Sequence, residues 1–407
     1  MKVLVLGKGV ANDGVILLLT EDNLEYDYLN PEEVVNFDYD LVVKAPGIPY
    51  NNEIIKKLIR RKIKIITDIE LATLLRQKFF IGVTGSNGKT TTVSLITHIL
   101  NQKYKAIACG NIGYSVCRAL VENPDADFFV VELSSFQLEK TTIDLNISVL
   151  LNVSPCHLDH HRNFKEYINS KANICLNQSS NHYFVYNYDD IYIQKIATNC
   201  HINRISFSNS SLLAKCYVRD NKIYYGNKCV TKLSDNLHIK EFLLLDTMAA
   251  ISTCMIIDKI KPRTIRKALS SFKEIDFRMT KVNDFIYNDA KSTNPYSTIA
   301  ALKCFDKVSL ICGGYDRKEN LGCLNDYLSK IKCVYAYGDT SSKINEYMNM
   351  HDIECYVFDN LEDAFKTALK NRQNEIILFS PMFASFDNFK NYIERGNYFT
   401  ELVKKHL

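Results

Sequence analysis

Short apolar runs alternate with helix-period segments along most of the chain. Val3–Leu6, Leu41–Val43 and Ile63–Ile66 read as strands, with helical patterns over Val10–Leu19 and Asn52–Arg61 between them. The rhythm resumes at Phe79–Thr84, Phe128–Glu132 and Val149–Val153. It returns at Val308–Cys312, Val334–Tyr337 and Ile376–Phe379. Strands that alternate with helices predict βαβ units and parallel sheets, an α/β fold. Between about Tyr183 and Lys232 the texture changes. Short pieces such as Tyr217–Val218, Ile223–Tyr225 and Cys229–Thr231 are separated by polar turns and predict a small antiparallel sheet. A long helical pattern covers about Glu241 to Asp258, and another covers Thr264–Phe272. Boundaries are expected near Lys78 and at Lys273–Asp276, which divides the chain into 1–78, 79–275 and 276–407.

Length and composition narrow the class. A chain of 407 residues with 46% hydrophobic residues buries a sizeable core without disulfides or structural metals. Lys and Arg number 50 against 46 Asp and Glu, a net charge of +4. That balance lacks the basic excess of a dedicated nucleic-acid binder. The 13 cysteines form no CxxC pair, so they read as small buried hydrophobes in a reducing cytosol. The first apolar run is cut by Gly7-Lys8-Gly9, short of a secretory h-region. No apolar stretch approaches the ~20 residues of a membrane span. The expectation is a cytoplasmic protein that engages neither nucleic acid nor membrane.

The strongest local signal is Phe79-Phe-Ile-Gly-Val-Thr-Gly-Ser-Asn-Gly-Lys-Thr-Thr91. A buried strand runs into a glycine-rich turn, then Lys89, Thr90 and a helix. Glycines let backbone N–H groups close on phosphate oxygens, and a helix N-terminus favours their charge. Lys89 reaches β/γ-phosphates in such a loop, and the Thr90 hydroxyl suits Mg²⁺. The strict GxxxxGK spacing is missed by one residue, since Gly82 falls early. The strand Phe128–Glu132 ends in a carboxylate, the usual place for a residue that holds Mg²⁺ beside such a loop. Asn152-Val-Ser-Pro-Cys-His-Leu-Asp-His-His161 puts His157 and His161 four apart, a metal-gripping spacing if the segment is helical. A surface or capping role is the plain alternative for both. Lys171, in the amphipathic helix Phe164–Gln178, reads by default as an exposed helix lysine.

Three strand ends late in the chain carry polar loops: Asn288-Asp-Ala-Lys-Ser-Thr-Asn294, Cys312-Gly-Gly-Tyr-Asp-Arg317 and Ser380-Pro-Met-Phe-Ala-Ser-Phe-Asp387. Each is explained singly by caps and turns. Together they suggest a substrate face. At the other end, Gly7-Lys-Gly-Val-Ala-Asn-Asp-Gly14 is an imperfect GxGxxG with Asn12 in the third glycine position. A phosphate or nucleotide-sugar site is the alternative to a dinucleotide fingerprint there.

These residues resemble the Mur ligases of peptidoglycan synthesis. Thr84–Thr90, Gly110-Asn-Ile-Gly113 and Asn152–Asp159 carry the general likeness. Glu132-Leu-Ser-Ser-Phe-Gln-Leu-Glu139, Asn288–Asn294 and Ser380–Gly396 resemble the branch that adds D-glutamate. The resemblance implies three domains: a Rossmann-like domain for a UDP-sugar, a central P-loop ATPase domain and a Rossmann-like C-terminal domain for the amino acid. It implies a monomer that joins UDP-N-acetylmuramoyl-L-alanine to D-glutamate with ATP and two Mg²⁺ ions, through an acyl phosphate. By position, Gly85, Ser86, Asn87, Gly88, Lys89, Thr90 and Thr91 would cradle ATP. Thr90 and Glu132 would hold one Mg²⁺, and His157 with a carbamylated Lys171 the second. Lys89, His157 and Lys171 would be catalytic. Asn111 and Ser134 would contact the UDP-sugar. Arg278, Asp289 and Lys291 would meet the nucleotide, and Thr293, Arg317, Ser385 and Tyr392 would surround D-glutamate.

Some positions depart from that family. No Gly-x-His-Asn element is evident near His238–Leu243. Phe277 stands where a His usually precedes Arg278, and Arg317 replaces a Lys of some relatives. Uracil contacts near Tyr26–Asn30 have no assignment. The rival readings are another ligase of the same fold, such as folylpolyglutamate synthase, a P-loop switch ATPase, and a zinc hydrolase built on His157 and His161.

Overall fold

The computed structural model describes residues 1–233, 243–273 and 275–407. The missing Gly-x-His-Asn element, expected near His238, falls outside them. The chain forms two compact units: 1–153 with 165–272, and 154–164 with 273–407.

The first unit holds two sheets. One is fully parallel, in the order β2 (Glu25–Leu29), β1 (Lys2–Leu6), β3 (Leu41–Lys44), β4 (Lys64–Ile66). The other has nine strands. Its parallel part contains β5 (Phe79–Thr84), β6 (Ala106–Gly110), β7 (Phe128–Glu132), β8 (Ile147–Leu150), β9 (Tyr183–Asn187) and β10 (Asn203–Ser208). An antiparallel meander follows in β11 (Cys216–Arg219), β12 (Lys222–Tyr225) and β13 (Lys228–Lys232). The spatial order is β13-β12-β11-β10-β9-β8-β5-β7-β6. The glycine-rich strand β5 therefore lies inside the sheet, and Ile81 and Val83 are fully buried. Each such side chain contributes about 1.5–3 kcal/mol. Helices Lys89–Leu100 and Leu244–Cys254 cover one face with Val93, Ile96, Met248 and Ile251.

The two sheets share a core in which Val15 and Leu18 of helix Val10–Glu21 join Val116, Cys117 and Phe129. Gly14 makes that approach feasible, because a Cβ there would run into the Ser115 side chain.

The second unit carries a six-stranded sheet, β14 (Thr280–Lys281), β15 (Ile286–Asn288), β19 (Ile376–Met382), β16 (Val308–Gly313), β17 (Ile331–Tyr337) and β18 (Cys355–Phe358). All pairs are parallel except β14 with β15.

Most expected elements appear, some with shifted ends. The strand expected over Val149–Val153 is Ile147–Leu150, because Asn152 leaves the sheet to brace the glycine-rich loop. The helix expected from Glu241 to Asp258 is described as Leu244–Cys254, with turns following it. Strands β2, β6, β14 and β18 were not expected, and all lie at sheet edges, where one-sided pairing demands little alternation. Strands β9 and β10 fall within the stretch expected to be antiparallel but pair in parallel, and the antiparallel part is confined to β11–β13.

Candidate functional site

Strand β5 ends at Thr84 and the chain turns through Gly85–Gly88 into the helix Lys89–Leu100. Gly88 has φ +85°, and any side chain there would collide with the Asp246 carboxylate, so only glycine fits on both counts. The loop is tied to the segment after β8. Ser86 N–H donates to Asn152 O at 2.9 Å, and Asn87 N–H to Asn152 Oδ1 at 2.9 Å. The Asn152 amide donates back to Asn87 O at 3.1 Å. Lys89 folds over the loop, with Nζ donating to Gly85 O at 2.8 Å and Ser86 O at 3.0 Å. Thr91 is buried in the first turn of the helix.

Sheet register sets the next residue. Glu132 ends β7, directly beside Val83 of β5 and Gly110 of β6. Its carboxylate accepts from Thr90 Oγ1 at 2.7 Å and from the Asn111 amide at 3.1 Å. Hydroxyl and carboxylate oxygens of this kind suit Mg²⁺, which binds through one or two carboxylates plus phosphates and water.

Lys171 is not the exposed helix lysine of the default reading. It is 1% exposed, and Nζ donates to Gly85 O at 2.9 Å and Thr84 Oγ1 at 3.2 Å. The ammonium also lies 4.8 Å from the Tyr167 ring centre, and the Tyr167 hydroxyl pairs with Ser86 Oγ at 2.9 Å. The lysine thus contacts the start of the glycine-rich loop at Thr84 and Gly85. Ser134 is locked to Gln137, whose Oε1 accepts from Ser134 Oγ at 3.1 Å. Gln137 also lines a cavity of about 180 Å³ with Asn111, Gly110 and the first residues of helix Val10–Glu21. Asn12 explains the imperfect fingerprint. Its buried amide donates to Leu6 O and Gly7 O, bracing the turn where the third glycine usually sits.

His157 and His161 do not share a helical face. His157 has φ +56° and opens a turn in which the N–H groups of His160 and His161 donate to His157 O. His161 is buried, not a surface residue. Among the described residues no cluster of three or more His, Cys, Asp or Glu is arranged to hold a metal. The zinc-hydrolase reading loses its basis.

In the second unit the three polar loops follow adjacent strands, β15, β19 and β16. Asp289 is 1% exposed, and its carboxylate accepts from Ser380 Oγ at 2.8 Å and from Ser292 Oγ. Burial pushes its pKa up to about 6, against the nearby Arg278. Lys291 Nζ lies 5.1 Å from the Tyr392 ring centre. Thr293 precedes Asn294, which caps the helix Pro295–Leu302. The Arg317 guanidinium lies 5.1 Å over Phe386, beside the buried Ser385. Burial raises the Glu319 carboxyl to about 7, again against Arg317. Phe277, which replaces the usual histidine, crowds Gly396, where a Cβ would strike its ring. Sequence reasoning missed Glu319, Asp246, Tyr167 and Arg395. Only Arg395 carried a signal, as part of the long Ser380–Gly396 segment.

A glycine-rich loop contacted by a buried lysine, a carboxylate at the neighbouring strand end, and a separate α/β unit with a polar strand-end face are features a Mur-type ligase would present. Residues 83–242 match the Mur ligase middle domain. The chain resembles a pseudomurein peptide ligase type C from Methanothermus fervidus, with TM-score 0.66 and 18% identity over all of both chains. It also resembles the MurF ligase of Thermotoga maritima, with TM-score 0.64 and 15% identity over 100% of this chain and 95% of that one. These likenesses concern the fold. In sequence, it is 35% identical to a UDP-N-acetylmuramoylalanine–D-glutamate ligase from Geobacillus sp. (strain WCH70), covering 92% of this chain and 86% of the relative. The Listeria monocytogenes enzyme of that name (strain EGD-e) is 32% identical, covering 92% and 84%. The chain belongs to the UDP-N-acetylmuramoylalanine–D-glutamate ligase family. It is an ATP-dependent, amide-forming ligase, and Mur ligases use ATP, typically with Mg²⁺. Among the described residues no helix is long and apolar enough to cross a membrane.

Proposed function

We propose that this protein joins D-glutamate to UDP-N-acetylmuramoyl-L-alanine in the cytoplasm, as a monomer, with release of ADP and phosphate. The observation that carries this reading is the likeness to ligases named for that reaction over 92% of the chain. The division of labour follows the three sheets: 1–78 for the UDP-sugar, 79–275 for ATP and 276–407 for D-glutamate.

The chemistry begins from a carboxylate, which is too poor an electrophile to form an amide in water. Its oxygen attacks the γ-phosphorus of ATP, the bond to the β-phosphate oxygen breaks, and an acyl phosphate forms. The amine of D-glutamate then attacks the acyl carbon. Phosphate leaves from the tetrahedral intermediate as the C–N bond is completed. Little covalent work falls to the protein, so positioning and charge dominate.

Gly85, Ser86, Asn87, Gly88, Thr90 and Thr91 offer backbone and hydroxyl groups to the triphosphate. Lys89 swings from its loop carbonyls to the β/γ-phosphates. Thr90 and Glu132 hold Mg²⁺, a fit supported by their adjacent hard oxygen atoms. Bound Mg²⁺ offsets the charge of a carboxylate approaching a triphosphate. Lys171 acts as a carbamate, whose anionic oxygens suit a second Mg²⁺, and His157 serves as a metal-orienting residue. Asn111 and Ser134 contact the UDP-sugar, supported by the cavity that Asn111 lines. Arg278, Asp289 and Lys291 serve the nucleotide. Thr293, Arg317, Ser385 and Tyr392 serve D-glutamate, with Arg317 suited to bidentate carboxylate binding.

Phosphate release from ATP, measured with UDP-N-acetylmuramoyl-L-alanine and with or without D-glutamate, tests the reading. Release is expected only with both co-substrates, and L-glutamate should not substitute. Rapid hydrolysis with neither present would favour a switch ATPase.

A further inference from the structure

Arg395 sits in the first turn of the helix Tyr392–His406 and is fully buried. Its side chain touches all three strand-end loops of the third sheet. Nη2 donates to Ala290 O at 3.1 Å in the loop after β15 and to Phe383 O at 3.0 Å at the end of β19. Nη1 lies 3.1 Å from where a Cβ on Gly314 would stand, so the guanidinium packs on the backbone of the loop after β16. Each pinned position is close in sequence to a residue assigned to D-glutamate. Ala290 precedes Thr293 by three residues, Phe383 precedes Ser385 by two, and Gly314 precedes Arg317 by three.

Stability alone accounts poorly for an arginine here. Its Nε and Nη1 make no close hydrogen bond, although the Tyr337 hydroxyl and the Asp387 carboxylate face the guanidinium and favour its charge. A buried cation with unused donors is costly, and an apolar side chain of similar volume often serves a core better. What an apolar side chain cannot do is bridge two carbonyls with a planar, rigid donor group.

We infer that Arg395 is a positioning residue for the amino-acid substrate, a clamp that sets the spacing of the loops bearing Thr293, Ser385 and Arg317. The inference rests on the assignment of those loops to D-glutamate. A shift of one loop by a fraction of an ångström misplaces a carboxylate ligand, while the phosphate loop, in the other unit, is untouched.

Arg395→Met and Arg395→Lys test the clamp, with KM measured for D-glutamate, ATP and UDP-N-acetylmuramoyl-L-alanine, and with thermal midpoints. KM does not depend on the fraction of active enzyme, so a merely structural role would leave it unmoved. The expected result is a rise of about tenfold or more in the KM for D-glutamate in both variants. The KM for UDP-N-acetylmuramoyl-L-alanine should stay within about twofold, and that for ATP should rise less than that for D-glutamate, because only one pinned carbonyl, Ala290 O, lies beside residues assigned to the nucleotide. The Met variant should melt no lower than the wild type. Unchanged D-glutamate KM in either folded variant overturns the inference. If Arg395→Met does not fold, Arg395→Lys, which keeps stem and charge, carries the test. Failure of both to fold assigns Arg395 to stability and also overturns it. Wild-type enzyme that ignores D-glutamate would instead overturn the functional reading, so the two failures are distinguishable.

Discussion

Replacing Lys171 separates a structural lysine from a carbamate more sharply than any other change. In Lys171→Ala the ammonium and its stem leave a site that is 1% exposed. The polar groups it touched are not orphaned. Gly85 O still accepts from Lys89, and Thr84 Oγ1 still donates to Leu133 O at 2.8 Å. The stability loss is therefore mainly the packing of the methylene stem, about 2–3 kcal/mol. For a unit of this size that is on the order of 5–10 °C in Tm, so the variant stays folded at 25 °C. Activity should fall much further, by about 10²-fold or more, if an anionic oxygen pair beside the triphosphate is lost. Lys171→Arg is the discriminating partner. Arg keeps a donor for Gly85 O and Thr84 Oγ1 and should hold Tm near the wild type, yet it keeps the cationic charge and is not carbamylated in this way. Phosphate release at 25 °C, normalised to the folded fraction by circular dichroism, is the assay. Formate or acetate added to Lys171→Ala should restore part of the rate, because a small carboxylate fits the vacated space. Full activity in Lys171→Arg, or no rescue of Lys171→Ala by any small carboxylate, would refute the carbamate and leave the lysine as a brace of the phosphate loop.

Lys89→Ala should lose about 10²-fold or more in turnover, roughly 3 kcal/mol of transition-state stabilisation, with a native circular-dichroism spectrum. Near-normal turnover would move the ATP site elsewhere. Ser385→Ala and Arg317→Ala should raise the KM for D-glutamate far more than that for ATP, and equal effects would mean that the third-sheet face is misassigned. Asp289 titrates at about 6 when folded against an ordinary 3.8, so between those values the native state holds more protons than the unfolded one. Stability should thus fall as pH rises from about 4 to 6, by up to about 3 kcal/mol. Asp289→Asn should flatten Tm against pH in that window, and an unchanged profile would count against the buried carboxyl.

The glycine-rich loop could be placed in advance because its signal is local. Glycine, lysine and threonine stand within a few residues of one strand, and residue types of that kind suit phosphate. Glu132 was readable for a related reason, since a carboxylate at a strand end lands beside the loop whenever the strands are neighbours, and β7 is the neighbour of β5. Lys171 could not be placed from its helix. Its burial depends on the packing of Phe164–Leu176 against the Thr84–Gly85 turn, a contact across some 87 residues. The histidine pair failed for an opposite reason. The i,i+4 spacing carries metal-binding meaning only on a helix, and the left-handed backbone at His157 denies it one. Arg395 stood within the long Ser380–Gly396 segment, yet its role was not legible, because nothing in an arginine's identity says whether its fork meets solvent or three separate loops.

Asn12 and Gly14 show how such gaps close once packing is known. As a fingerprint, Gly7–Gly14 fails at its third glycine, and the failure argues against a dinucleotide site. The structure separates two demands that one glycine usually meets. Bracing of the turn is done by the Asn12 amide on Leu6 O and Gly7 O. Close packing of the helix is met two residues later by Gly14 against Ser115. With both met, the helix still presents Val10 and Ala11 to the cavity shared with Gly110, Asn111 and Gly113. A helix start favours a negative group. The departure from the fingerprint therefore removes the reason to expect a dinucleotide without removing the anion-favouring end of the helix.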